Sequence, residues 1–392
     1  VLHRALDPNE SVEVRRNITL VTTARLISNS PHRFTLPFLS VVAIGLGVTV
    51  EQFGVAIAVS EMCGLAGPLI GRVVDRVGDR TAMAAGLAGV ATGATLAATS
   101  QNLMMFAIAL VLIGQSSIGF VLAMGGWIAR WVPYERRGRV TGLTEVSWAL
   151  GLLVGVSLLG LLTAATSWRA AYGVAAATTL AMAGLIRRRI SATPPQRQER
   201  VHHRTSLRWP AVVAVFGAFS LTAASHSLFV TFSTWLDGTH GFTAATLTAM
   251  AFGLGVGELG ASVAMAKVSD QLGKELSIAL GAGLMVPAAL LLAMFHDSAV
   301  IGITGLVIAV IGFEFAIVSA LPIGGRLVPG APAAGLGILI ASETFGRATV
   351  SIPATRALTR YGMAAPALIC AAAATLSTVA FLSVRAPLAD QR

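Results

Sequence analysis

Long apolar runs alternate with short polar breaks along the whole chain. A helix needs roughly 20 apolar residues to cross about 30 Å of hydrocarbon, because each residue rises about 1.5 Å. Runs of that grade span 18–48, 52–73, 81–99, 102–131, 140–164, 168–187, 209–237, 243–267, 276–295, 298–322, 335–358 and 362–384. Such runs are too long for the core of a soluble domain. The pattern therefore predicts an all-α membrane protein with twelve transmembrane helices.

The polar breaks repeat. GRVVDRVGDR at 71–80 separates the second and third runs, and AKVSDQLGKE at 266–275 separates the eighth and ninth. Asp75 and Gly78 of the first copy correspond to Asp270 and Gly273 of the second, each a step of 195 residues in a chain of 392. Pro133 after the fourth run and Pro329 after the tenth extend the match, as do Phe34 and Phe229. The spacing predicts two six-helix bundles, 1–186 and 209–392, related by an axis along the membrane normal. Repeats of this kind close a site between them at mid-membrane. The stretch 187–208 carries Pro194–Pro195 and seven arginines without apolar periodicity, and reads as a cytoplasmic linker.

Composition sharpens this picture. Only 12% of residues are charged, against about 25% in soluble domains, and mean hydropathy is +0.76. The 41 glycines suit helices whose backbones approach closely in lipid. A net charge of +10 raises the question of nucleic acid. Most of the Lys and Arg, however, fall in the N-terminal tail, the breaks after the even-numbered runs, the linker and the C-terminal tail. That asymmetry is the positive-inside rule. It predicts both termini in the cytoplasm and no nucleic-acid partner. The polar N-terminus and the length of the first run argue against a cleavable signal peptide. Arg greatly outnumbers Lys, as in chains from GC-rich bacterial genomes, and the expected location is the bacterial plasma membrane. Cys63 and Cys370 read as small buried hydrophobes. No G-x-x-x-x-G-K-[ST] loop supplies ATP chemistry, no His/Cys cluster has zinc spacing, and no nucleophile constellation marks an enzyme. No cofactor or metal is expected.

Ionisable residues inside the runs are the candidates for function, because a charge at the bilayer centre costs at least about 2.5–3.5 kcal/mol. They are His32 and Arg33 in the first run, Glu61 in the second, His226 in the seventh, Glu258 in the eighth and Glu314 in the tenth. Arg33 offers a planar fork for a carboxylate, His226 titrates near physiological pH, and Glu314 could carry a proton. A static Arg33–Glu314 ion pair is the alternative, as is a packing role for His226. Glu343 and Arg347 lie one turn apart in the eleventh run, where a local salt bridge is expected.

The first break carries Gly71, Asp75, Arg76, Gly78 and Arg80, with Asp79 at a usually basic position. Over its full length the chain resembles the major facilitator superfamily, whose loop signature is G-x-x-x-D-R-x-G-R-R. Gly142, Gly151, Gly155 and Gly160 match the glycines of a fifth-helix motif of drug:proton antiporters, with Val156 and Leu159 departing from it. SWRAAY at 167–172 is similar to a turn found in bacterial efflux permeases. The resemblance implies a monomeric transporter that moves a small molecule by alternating access, with proton-coupled efflux first and organic-anion import, by symport or uniport, second. A lipid-handling or sensing protein without ion coupling is the reading from another class. It implies that helices 1, 4, 7 and 10 line a cavity holding Arg33, Gln115, His226 and Glu314. It also implies that Asp75 contacts the start of helix 11 and that Asp270, beside Gly273 and Lys274, mirrors it at helix 5; the alternative is a solvated loop charge. Leu112 stands where proton-coupled relatives usually carry arginine.

Cytoplasmic termini predict that a reporter active only in the cytoplasm works when fused after Arg392 or near Arg200. Activity of a periplasmic reporter at either place would contradict the twelve-helix topology.

Overall fold

The structure is a computed structural model. It describes residues 11–132, 140, 144, 146–191, 208–324, 326–328 and 332–384, and no strand occurs among the described residues. The linker segment 192–207, Pro133, Gly142 and Pro329 lie outside them. The helices are α1 Val12–Phe34, α2 Leu39–Leu46, α3 Val50–Cys63, α4 Gly67–Val77, α5 Asp79–Ala98 and α6 Leu103–Trp131. They continue as α7 Val146–Ala165, α8 Trp168–Arg189, α9 Trp209–Phe229, α10 Phe232–His240 and α11 Ala244–Leu272. The last are α12 Lys274–Phe295, α13 Ala299–Gly324, α14 Pro332–Tyr361 and α15 Ala364–Ser383.

Short polar signals start these helices. Thr49 and Gln52 form a capping box on α3, Asn102 accepts from Met105 N on α6, and Ser167 accepts from Ala170 N on α8. Each satisfies a backbone donor that has no partner inside the helix. Within the helices many hydroxyls bond back to a carbonyl one turn earlier, as Thr95, Thr163, Thr179 and Thr355 do. That keeps their donors satisfied where no water is available.

Nine described helical segments are long and apolar enough to cross a membrane. The number is ten if α2 and the Val50–Ala66 segment, bent by 111°, form one broken span. The first expected run, 18–48, is not one helix: α1 ends at Phe34 and α2 begins at Leu39. Buried Asn17, Arg25, Ser28, Asn29 and Ser30 make α1 too polar for the apolar set. α14 is 30 residues long but carries Glu343, Arg347, Arg356 and Arg360.

Two compact units emerge from the packing. One holds 1–38, 66–200 and 244–255; the other holds 39–65, 201–243 and 256–392. In the first, α1, α5, α6 and α8 enclose a core that includes Ile18, Met83, Leu87, Phe120, Trp127 and Ile186. Beside it Tyr172 packs edge-on against Phe34, Phe106 and Trp168 and shares a 2.7 Å hydrogen bond with Thr35. The SWRAAY segment is thus the cap of α8 and part of an aromatic cluster. In the second unit α9, α12, α13, α14 and α15 pack together with α3.

Glycines set the closest helix crossings, and the repeat places them twice. A Cβ at Gly86 of α5 would fall 2.8 Å from Phe120 N and 2.9 Å from Ser116 O on α6. A Cβ at Gly281 of α12, a step of 195 residues on, would fall 2.5 Å from Gly312 O and 2.8 Å from Ala316 N on α13. Lipid gives apolar side chains little reason to associate, so van der Waals contact between backbones has to hold these pairs. The seams repeat as well. A methyl on Gly160 of α7 would overlap Thr248 of α11 in the first unit, and one on Gly54 of α3 would overlap Thr355 of α14 in the second. Gly54 and Thr248 are repeat mates, as are Gly160 and Thr355, so one Gly–Thr contact occurs twice with the roles exchanged.

Gly281→Ala should cost about 1–3 kcal/mol through overpacking. Gly283→Ala, whose Cβ would meet only Thr378 at 3.8 Å, should stay within about 0.5 kcal/mol. Thermal unfolding in detergent separates the two. Equal melting temperatures would contradict the backbone contact.

Candidate functional site

In the first unit the polar side of α1 meets an irregular stretch of α7. Residues Gly151–Val156 form a π-helix, one hydrogen bond wider than the α-helix around it, a distortion often found at functional sites. Ser157 Oγ bonds to Leu152 O at 3.4 Å, following the wider step. The glycine motif explains how the bulge fits. A Cβ on Gly151 would fall 3.2 Å from Asn29 Cβ and 3.9 Å from Arg33 Cδ, and one on Gly155 would overlap Ser30. Arg33 donates from Nη1 to Trp148 O at 2.7 Å. Its guanidinium lies 4.5 Å from the centroid of the Trp148 ring, a cation–π arrangement. Asn29, one turn before Arg33, is buried, and so is Arg25 one turn earlier still. Ser28 and Ser117 share a 3.5 Å hydrogen bond between α1 and α6. Gln115, on α6, is half-buried, whereas His32 is exposed.

In the second unit the candidate carboxylates are buried. Glu314 of α13 is 3% exposed and accepts from Ser262 Oγ of α11 at 2.7 Å. Glu258 lies one turn before Ser262 and is also buried, as is His226 of α9. Glu61 of α3 accepts from Arg347 Nε of α14 at 2.9 Å. Arg347 therefore reaches across to α3 for its close ion pair, where the sequence suggested Glu343 on its own helix. Arg347 Nη2 also donates to Thr344 Oγ1 at 3.1 Å.

The polar hairpins contain charge pairs that the signature alone does not announce. Gly78 has φ +79° and Gly273 φ +84°, conformations that suit glycine, and each leads directly into a helix. Asp79, the first residue of α5, is buried and accepts from Arg130 Nε at 2.9 Å. Glu275, at the start of α12, is buried and lies 3.6 Å from Arg326 Nη1. Asp79 to Glu275 and Arg130 to Arg326 are both steps of 196 residues, so the bridge is duplicated. The acid at each helix N-terminus also meets the positive end of the helix dipole. Arg76 is exposed, Arg80 and Lys274 are half-buried, and Gly71 packs near Leu122. The side chains of Asp75 and Asp270 lie outside the described set. Sequence reasoning treated Asp79 as a departure from a pattern; its signal was Glu275 at the same place in the second copy. Among the described residues no group of three His, Cys, Asp or Glu is placed to hold a metal.

Comparison with known proteins agrees with this architecture. The family model of the Major Facilitator Superfamily matches residues 24–351. The chain is 28% identical over 251 residues to an uncharacterized MFS-type transporter, YwfA, of Bacillus subtilis strain 168. The match covers 61% of this chain and spans about three-fifths, 59%, of that relative's length. A bacterial homolog of the human lysosomal transporter Spinster, inward-facing and unoccupied, has a similar fold, with TM-score 0.72, 11% identity and coverage of 96% of this chain and 95% of that one. The human organic anion transporter MFSD10 (TETRAN) has TM-score 0.67 and 20% identity, with coverage of 96% and 100%.

Removing one partner of a buried ion pair typically costs about 3–5 kcal/mol, because the other charge is left stranded. Asp79→Asn should therefore destabilise the protein, by less than that range because Arg130 is partly exposed. The exchange Asp79→Arg with Arg130→Asp should recover part of the loss only if the pair matters more than the dipole. A double-mutant cycle on melting temperature with no coupling between the sites would contradict the bridge.

Proposed function

The chain belongs to the major facilitator superfamily, and on that premise we propose that it is a secondary transporter that exports a small organic compound by alternating access, driven by protons. The observation that carries the proton part is Glu314. It lies in a 26-residue apolar helix, is buried, and shares a hydrogen bond with a serine hydroxyl. A hydroxyl can donate to a carboxylate and accept from a carboxylic acid. Ser262 therefore suits both protonation states.

Arg33 is the proposed anchor for substrate. Its planar guanidinium, beside the Trp148 ring, has the shape and charge that suit a carboxylate. The same residue favours the second reading, uptake of an organic anion with protons; MFSD10 is described as an organic anion transporter. The proposed setting is a bacterial plasma membrane, with both termini cytoplasmic and the bundles 1–186 and 209–392 acting as the two moving halves.

A panel of organic acids and bases screened by melting temperature identifies a ligand, since ligand at 100 times its Kd adds about 2.7 kcal/mol. In proteoliposomes Glu314→Gln should then abolish flux driven by a pH gradient yet keep substrate exchange. Arg33→Ala should weaken binding of acids more than of bases. Full gradient-driven flux in Glu314→Gln would remove Glu314 from the mechanism, and the sign of accumulation decides between export and import.

A further inference from the structure

We propose that Glu343 is a second proton-binding site, which controls the α3–α14 seam by exchanging with Glu61 for Arg347. The proposal rests on the alternating-access reading but not on Glu314. Three observations meet at this place. Arg347 and Glu61 form a 2.9 Å ion pair that ties α14 to α3. Glu343 lies one turn before Arg347 on α14, the spacing at which acid and base meet on a helix surface. Glu343 is 7% exposed, and among the described residues its Oε1 has no hydrogen-bond partner.

A buried carboxylate with an unpaired oxygen is costly as an anion. While Arg347 is committed to Glu61, Glu343 is better off holding a proton. When the seam parts, Glu61 goes to water and Arg347 would be stranded. Glu343 is within reach on the same helix and can take its place. The balance is simple. The closed seam holds Glu61⁻, Arg347⁺ and protonated Glu343; the open seam holds hydrated Glu61⁻, Arg347⁺ and Glu343⁻, with one proton released to water. No other bond is made or broken. The closed seam binds one proton more than the open one, so acid favours closure and alkali favours opening.

The neighbours allow this assignment to be isolated. Thr222 Oγ1 of α9 holds the Glu343 carbonyl at 2.9 Å, so the carboxylate-bearing turn is fixed against that helix. His226 is the titratable residue of α9 and lies one turn beyond Thr222. α3 adds Glu51 and Cys63 to Glu61, α13 contributes Glu314, which accepts from Ser262, and α15 contributes buried Cys370. On α14 itself Arg356 and Arg360 lie two or more turns beyond Arg347.

Spin labels at Val59 of α3 and Thr349 of α14, both exposed, report the seam in lipid nanodiscs by their distance distribution from pH 5 to 9. In the otherwise unaltered chain the closed fraction should rise with acid, the closed-to-open ratio changing by up to about tenfold per pH unit for one proton. Glu343→Gln, which resembles the protonated acid, should stay closed at every pH, and Glu61→Gln should favour the open distance throughout. His226→Gln should titrate as the parent does. A parent seam that ignores pH, or a Glu343→Gln seam that still titrates, overturns the proposal; the parent titration needs no variant to fold. A titrating seam in a protein that moves no substrate refutes the transport reading alone. Proton-driven flux with a seam that ignores pH refutes this inference alone.

Discussion

Hydrocarbon solvates neither a charge nor an unpaired polar group, so each ion inside these helices has to find its partner within the chain. Within the apolar helices Glu61 has Arg347 and Glu314 has Ser262; at the helix ends Asp79 has Arg130 and Glu275 has Arg326. Threonine and serine hydroxyls turn back to their own helix carbonyls for the same reason. Each pairing fixes one helix against another and specifies position where apolar packing in lipid would tolerate sliding.

Glycine supplies the other half of the scaffold. Gly86 and Gly281 bring α5 onto α6 and α12 onto α13 by the same backbone approach, and the Gly–Thr seams do likewise for α7 with α11 and α3 with α14. The repeat is visible at the level of individual atoms: the φ of Gly78 and Gly273, the acid that follows, and the arginine it meets. An ancestral six-helix unit that already held its acid and arginine would produce this pattern on duplication.

Much of this was legible before any coordinates. The apolar runs, the step of 195 residues and the asymmetry of arginine define a membrane helix bundle of two repeats, and the loop signature points to the family. The break between α1 and α2 had its signal in Pro37, which hydropathy alone does not weigh because it does not report backbone direction. Among the candidate site residues, Glu258 and Glu314 stand out in the sequence as acids within apolar runs, and both are buried. Their partners were not legible. Arg347 has an acid at the favourable helical spacing, yet its close ion pair is with Glu61, 286 positions away. Local rules rank neighbours along one helix and cannot weigh a partner brought by packing. His32 shows the converse, an ionisable residue in an apolar run that the fold leaves exposed.

On the proposed reading, substrate movement and proton movement are one process. Proteoliposomes with a weakly buffered lumen, a pH-sensitive dye inside and no initial pH gradient test it directly. When substrate identified by melting temperature is allowed to run down its own gradient, lumen pH should shift as protons move the opposite way, and the shift should vanish in Glu314→Gln. Substrate flux of normal size with lumen pH unchanged would contradict proton coupling.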